Sequence, residues 1–334
     1  MIGPRCFFFV ALLHGTTSLY FAQAADFKPT QQEKIVPAEA KLELVWAEGD
    51  FTEGPTLAGD GSIIFSDIGN RMMKYDPASG KTTVFRDPSG RANGLMFNVK
   101  GELIACEGAN TGGNRRISIT GTDGTVKTLA DRFEGKRFNS PNDLAVNKQG
   151  QVYFTDPRYV GDDPRELDIE AVFLVETDGK VKLATKELEK PNGILVSPDG
   201  RTVFVADNNS RPDGNHHLVS FAVREDGTLH QKKLLWDIGP QRRGIDGMTQ
   251  DQQGRIYATA GTGDLAGIYV LSPSGEQLAF IATPGDPTNC VFGGEDRRTL
   301  YITAQAPATT KPRKFGLYRI QLSTPGYHLF PAAP

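Results

Sequence analysis

The chain is poor in cysteine, tryptophan and histidine, and it has no long apolar run and little net charge. Cys6, Cys106 and Cys290 are its only cysteines in 334 residues, too few for a disulfide framework. Stability must come from core burial, which a chain of this length can supply. A formal net charge of −3 leaves no basic field, so nucleic acid is excluded as a partner class. No stretch of ~20 apolar residues offers a membrane span. There is no Gly-x-Ser-x-Gly nucleophile elbow. Of the five histidines, His216 and His217 fall together in a polar stretch that reads as a solvated loop.

The first residues have the pattern of an export signal. Arg5 supplies a positive charge, Cys6 to Leu13 is apolar, and Ala22-Gln23-Ala24 is a small-x-small cleavage pattern. The expectation is a signal peptide over 1–24 and a polar linker over 25–40. The mature protein would then be periplasmic or secreted, free of the membrane and monomeric.

What the chain has in quantity is glycine, 37 residues, spaced between short β-branched and aromatic runs. Pro191-Asn192-Gly193-Ile194-Leu195-Val196 turns at Asp199-Gly200 and returns as Val203-Phe204-Val205-Ala206-Asp207. Apolar runs split by Asp-Gly predict a hairpin. The same unit begins at Glu53-Gly54-Pro55, Asn93-Gly94-Leu95, Asn142-Asp143-Leu144, Asp246-Gly247-Met248 and Asn289-Cys290-Val291, each time with a second hairpin behind it. Six four-stranded repeats, spaced roughly 40 to 55 residues apart, predict an all-β, six-bladed β-propeller over 41–322. Leu42 to Trp46 would close its ring, and 323–334 would be a tail. Cys106 and Cys290 fall in blades two and six, so they are expected to remain thiols.

In such a ring the first strand of each blade lines a central channel. The residues before those strands, Glu53, Asn93, Asn142, Asn192, Asp246 and Asn289, then converge at one mouth. The longer connections 107–116, 157–170, 207–217 and 304–316 fall on the same face, where sites are usually built. Two carboxylates among amide oxygens suit a hard cation, whereas softer metals would want thiolate or imidazole ligands. Any one of these Asn or Asp residues could simply serve a turn. Six in register, with a Glu among them, argue for more. Glu107 ends a second strand, where it could reach a substrate or cap a loop. Arg158 and Tyr159 are candidates for a pocket wall, and Asp67, Asp156 and Asp207 read as structural repeats.

These motifs, with Arg91-Ala92-Asn93-Gly94, Ser140-Pro141-Asn142-Asp143 and Gly244-Ile245-Asp246-Gly247, resemble the SMP-30/gluconolactonase/LRE-like family of six-bladed propellers across roughly 42–322. The resemblance implies one divalent cation, calcium first with zinc, magnesium or manganese as alternatives, held by Glu53, Asn142, Asn192 and Asp246. It implies hydrolysis of a small-molecule sugar-type lactone with Asp246 as the catalytic residue, and a substrate held by Arg91 and Asn93. Glu107 joins that substrate set as a candidate. A related esterase or phosphotriesterase, or a binding propeller with a structural metal, is the alternative.

Overall fold

The computed structural model describes residues 29–329 except 109–111, 240–241 and 308. The expected signal segment therefore lies outside the described residues. Six four-stranded antiparallel sheets follow one another along the chain. Blade 1 comprises Thr52–Leu57, Ile63–Asp67, Arg71–Asp76 and Lys81–Arg86. Blade 2 comprises Leu95–Phe97, Leu103–Glu107, Arg116–Thr120 and Val126–Ala130. Blade 3 comprises Leu144–Val146, Val152–Asp156, Ala171–Val175 and Val181–Thr185. Blade 4 comprises Pro191–Val196, Thr202–Asn208, His216–Val223 and Leu229–Asp237. Blade 5 comprises Met248–Gln250, Ile256–Ala260, Gly267–Leu271 and Gln277–Ala282.

Blade 6 is made from both ends of the chain. Pro287–Gly293, Thr299–Gln305 and Phe315–Gln321 supply three strands, and Glu43–Gly49 pairs with the last of them. Leu44 stands opposite Tyr318 and Trp46 opposite Leu317. The ring is thus closed by hydrogen bonds between distant parts of the sequence, as the lone strand before the first repeat predicted.

Apolar side chains alternate because successive residues of a strand face opposite sides of its sheet. In the second strand of blade 2, Ile104 and Cys106 pack toward blade 3, while Leu103 and Ala105 pack toward blade 1. Repeated around the ring, this produces six buried clusters, one at each seam between blades. Cys106 lies in the seam of blades 2 and 3 and Cys290 in the seam of blades 5 and 6, each buried as a free thiol.

Two segments expected as peripheral are docked. Residues Gln32–Ile35 form one helical turn within the expected linker. Its Ile35 is buried in the seam of blades 5 and 6, and Gln32 bonds both ways with the Phe280 backbone. At the other terminus, Tyr327 N–H donates to the Gln250 carbonyl at 2.9 Å, and Gly326 bridges Asp251. Tyr327, His328 and Leu329 therefore close the channel on the face of the tight turns, beneath a cavity of about 120 Å³. Hydrophobic runs do not announce either contact, because both are carried mainly by backbone groups and isolated side chains.

Candidate active site

The site lies at the opposite mouth and depends on a device repeated at the ends of second strands. Asp67 Oδ1 accepts from the Asp50 and Phe51 N–H groups, both at 3.1 Å. Asp156 accepts from Asn139 N–H at 2.8 Å and Ser140 N–H at 2.7 Å. Asp207 accepts from the N–H groups of Glu189 and Lys190. Each carboxylate satisfies loop donors that strand pairing leaves open, as buried backbone groups require. Each loop then delivers a side chain two or three residues later: Glu53, Asn142 or Asn192.

Close approach of the blades brings these side chains together. Gly54 has φ +45°, and a Cβ there would lie 2.1 Å from the Asn93 carbonyl oxygen. A Cβ on Gly193 would lie 2.2 Å from the Asp246 carbonyl, which instead accepts the Gly193 N–H at 2.9 Å. Glycine after the site residue is therefore a packing requirement between neighbouring blades. Blade 3 departs from it with Asp143.

Glu53, Asn93, Asn142, Asn192 and Asp246 line one open cavity of about 580 Å³, together with Arg91, Arg243, Tyr159 and Ser140. Asn289, the sixth residue in register, does not line it. Its side chain bonds Asp143 one layer deeper, and its Oδ1 accepts the Cys290 N–H at 2.8 Å.

Glu53 and Asp246 crowd this mouth, with Asp143 one layer beneath them. Burial pushes Glu53 well above the usual carboxylate range, and Asp246 and Asp143 add repulsion. Burial likewise raises Asp143, to about 7, against the hydrogen bond from Leu144 N–H and with further repulsion from Asp246. Asp246 is raised by burial and held back by Arg243 and by a hydrogen bond from Asn192. The guanidinium of Arg243 donates to Asp246 Oδ2, and its other amino nitrogen donates to the Pro287 carbonyl at 2.5 Å. Uncompensated negative charge together with amide oxygens is a donor set that fits a hard cation. Among the described residues no three His, Cys, Asp or Glu side chains form a metal cluster by themselves. A cation here would therefore rely on the amides of Asn142 and Asn192 as well as on Glu53 and Asp246.

The amide of Asn192 is turned by its neighbours. Its Nδ2 donates to the Tyr159 hydroxyl at 3.1 Å, and that hydroxyl donates to the Asn208 carbonyl at 2.9 Å. With the nitrogen taken, Oδ1 is the group left to face a ligand.

Arg91 reaches the cavity from a strained turn. Its φ is +57°, and its N–H donates to Asn70 Oδ1 at 2.9 Å. Glu107, a candidate substrate contact from the sequence, stands behind that turn and outside the cavity lining. It is fully buried and ion-paired with Arg86 at 2.6 Å and Arg116 at 2.7 Å. Asn114 donates to it at 2.6 Å, and Gly90 packs on its carboxylate. It ends its strand as Asp67, Asp156 and Asp207 do, but it binds side chains rather than loop N–H groups. Arg86 links it to the turn by donating to the Ser89 carbonyl at 2.5 Å. Arg158 pairs with Asp163 at 3.5 Å and is not part of the lining, whereas Tyr159 is. His216 is buried with both ring nitrogens against carbonyls, of Gly239 and Asn209, and His217 faces Asp237. Neither histidine lines the site.

Sequence reasoning missed Arg243 and Asp143. Asp143 had a usable signal: it interrupts the glycines that follow the site residue in blades 1, 2, 4 and 5. Arg243 had none, because an arginine three residues before Asp246 looks like any loop arginine.

A six-bladed propeller whose channel mouth gathers carboxylates and amide oxygens defines the class. Within it, the chain belongs to the SMP-30/gluconolactonase/LRE-like family, whose model matches residues 51–306. It is 31% identical over 320 residues to a gluconolactonase of Zymomonas mobilis, covering 87% of this chain and 85% of that protein. A gluconolactonase structure from Xanthomonas campestris superposes with a TM-score of 0.74 at 27% identity, over 90% of this chain and 96% of the other. A regucalcin from Agrobacterium tumefaciens, described as a calcium-binding protein, shares the fold at 19% identity and a TM-score of 0.69, over 86% and 95% of the two chains.

Proposed function

We propose that this protein hydrolyses a lactone to its hydroxy acid in the cavity formed by Glu53, Asn142, Asn192 and Asp246. The observation that carries the reading is the Arg243–Asp246 pair at the cavity wall. Arg243 donates to Oδ2 and Asn192 donates to the same carboxylate, so its plane is fixed where it can orient the attacking water and accept its proton. Burial raises the proton affinity of Asp246 while Arg243 and Asn192 lower it, and a bound cation would lower it further. Its role is therefore to position the attacking water and take its proton as the bond to carbon forms. Asn93 and Arg91 supply polar contacts to the ring and its substituents. A binding propeller would need no oriented base, so this geometry favours the enzyme.

Glu53, Asp246, Asn142 and Asn192 would hold the cation, with calcium suited best by an all-oxygen donor set. When bound, a divalent cation supplies Lewis acidity at the ester carbonyl oxygen. Glucono-δ-lactone, a sugar-type aldonolactone, is the reference substrate because the Zymomonas and Xanthomonas relatives carry the gluconolactonase name. Export to the periplasm or medium, from the pattern of 1–24, is part of the same proposal. The test is acid release in a pH-stat from glucono-δ-lactone and a panel of other lactones. Each assay is run with chelator and after calcium is restored, with metal content measured. Hydrolysis that chelator abolishes and calcium restores supports the reading. Metal-bound protein inactive on every lactone would overturn it.

A further inference from the structure

The polar floor of the cavity is only part of its surface. Phe51 and Ile68 of blade 1 line one bank, and Tyr159 and Val160 of blade 3 line another. In the ring these banks are separated by blade 2, which contributes Arg91 between them. Val160 is 53% exposed and Tyr159 37% exposed, on a connecting loop where a polar residue would cost nothing in packing. Val160 is thus apolar surface offered to the cavity rather than to the core.

Both banks are held in place. Phe51 packs on Phe315 with ring centroids 4.4 Å apart. Ile68 N–H donates to the Phe51 carbonyl at 3.0 Å, so the two residues of the first bank are tied to each other. Tyr159 is fixed through its hydroxyl to Asn192 and Asn208, and Lys190 lies 5.1 Å from its ring centroid. A substrate would therefore meet a preformed surface with little ordering cost.

Asp50, Asn208 and Ser210 also line the cavity and could meet hydroxyls. A ring with hydroxyls on every carbon nonetheless finds no partner on the apolar banks themselves. Where its hydroxyls faced Phe51, Ile68 or Val160 they would lose water and find no partner. An alkyl or aryl group at the same place would gain by burial. From this we infer that the preferred substrate is a lactone whose ring carries an apolar substituent, with the ester on the polar floor and the substituent packed against one of these apolar banks, clear of Arg91. The inference rests on the lactonase reading and assigns Phe51, Ile68 and Val160 as specificity-determining residues.

The test is a homologous series of δ-lactones, from unsubstituted δ-valerolactone to rings bearing methyl, propyl and pentyl chains, with glucono-δ-lactone alongside. The calcium-loaded full chain is assayed as wild type, Val160→Ser and Ile68→Ser. In the wild type, kcat/KM should rise about fourfold for each methylene buried. The pentyl lactone should exceed glucono-δ-lactone. In the variant whose bank holds the substituent, the pentyl-to-unsubstituted ratio should fall by about tenfold, a ratio that loss of folded protein alone would not move. Chelator-sensitive hydrolysis of glucono-δ-lactone with a flat chain-length series would overturn this inference and leave the lactonase reading standing. No hydrolysis of any lactone by calcium-loaded protein would overturn both.

Discussion

The Tyr159 hydroxyl accepts a hydrogen bond from Asn192 Nδ2 at 3.1 Å, joining the long blade 3 loop to the channel strand of blade 4. This contact decides which end of the Asn192 amide faces the cavity. Tyr159→Phe keeps the ring against Lys190 and deletes only the hydroxyl. A hydrogen bond of this kind contributes about 1 kcal/mol. Calcium affinity, followed by titration calorimetry, should therefore weaken about fivefold with the fold unchanged. Unaltered affinity would remove Tyr159 from the site's support.

Glu107 holds the turn that carries Arg91. Glu107→Ala would leave Arg86 and Arg116 without their buried partner, a change that costs about 3–5 kcal/mol. A large fall in the denaturation midpoint is expected, with weakened substrate binding in the protein that remains folded. A fully stable variant with activity selectively lost would instead mean that Glu107 touches substrate.

Arg91 lines the cavity from its left-handed turn, apart from the carboxylates proposed to hold the cation. Arg91→Ala should raise KM by about tenfold while metal content and kcat stay near wild type, the pattern of lost substrate binding. Equal falls in kcat and kcat/KM would place Arg91 in the chemical step.

His328 closes the far end of the channel with a buried Nε2 that has no hydrogen-bond partner. Burial first, and Arg297 second, push it down to about 4. An unfolded histidine titrates near 6.5, so between these values the unfolded chain binds the extra proton. The contribution of this group is fully present above pH ~6.5 and lost as pH falls toward 4, by about 3 kcal/mol. Urea denaturation across this range should show a shallower acid limb for His328→Gln than for wild type. Parallel limbs would show that His328 is solvated.

The propeller was legible because its cause is local and repeated. Pro191-Asn192-Gly193-Ile194-Leu195-Val196, with its Asp-Gly turn and return strand, states a hairpin, and six such units state a ring. The register of Glu53, Asn142, Asn192 and Asp246 was legible for the same reason. Contacts that occur once were not. Nothing around Arg243 marks its pairing with Asp246, and nothing around Tyr327 marks its bond to the Gln250 backbone. Glu107 misled because the end of a second strand can face either the cavity or the adjoining loop, and only the placement of Arg86 and Arg116 decides which.

The central claim is that Asp246, oriented by Arg243, moves the proton in lactone hydrolysis. Its most direct test is the initial rate of acid release by calcium-loaded Asp246→Asn, on the best lactone of the panel. This substitution keeps an oxygen ligand and removes the base. Bound calcium, a native circular dichroism spectrum and a kcat lower by about 10³-fold are the predicted result, within the range attributed to general-base catalysis. A calcium-loaded, folded Asp246→Asn protein with near wild-type kcat would contradict the account.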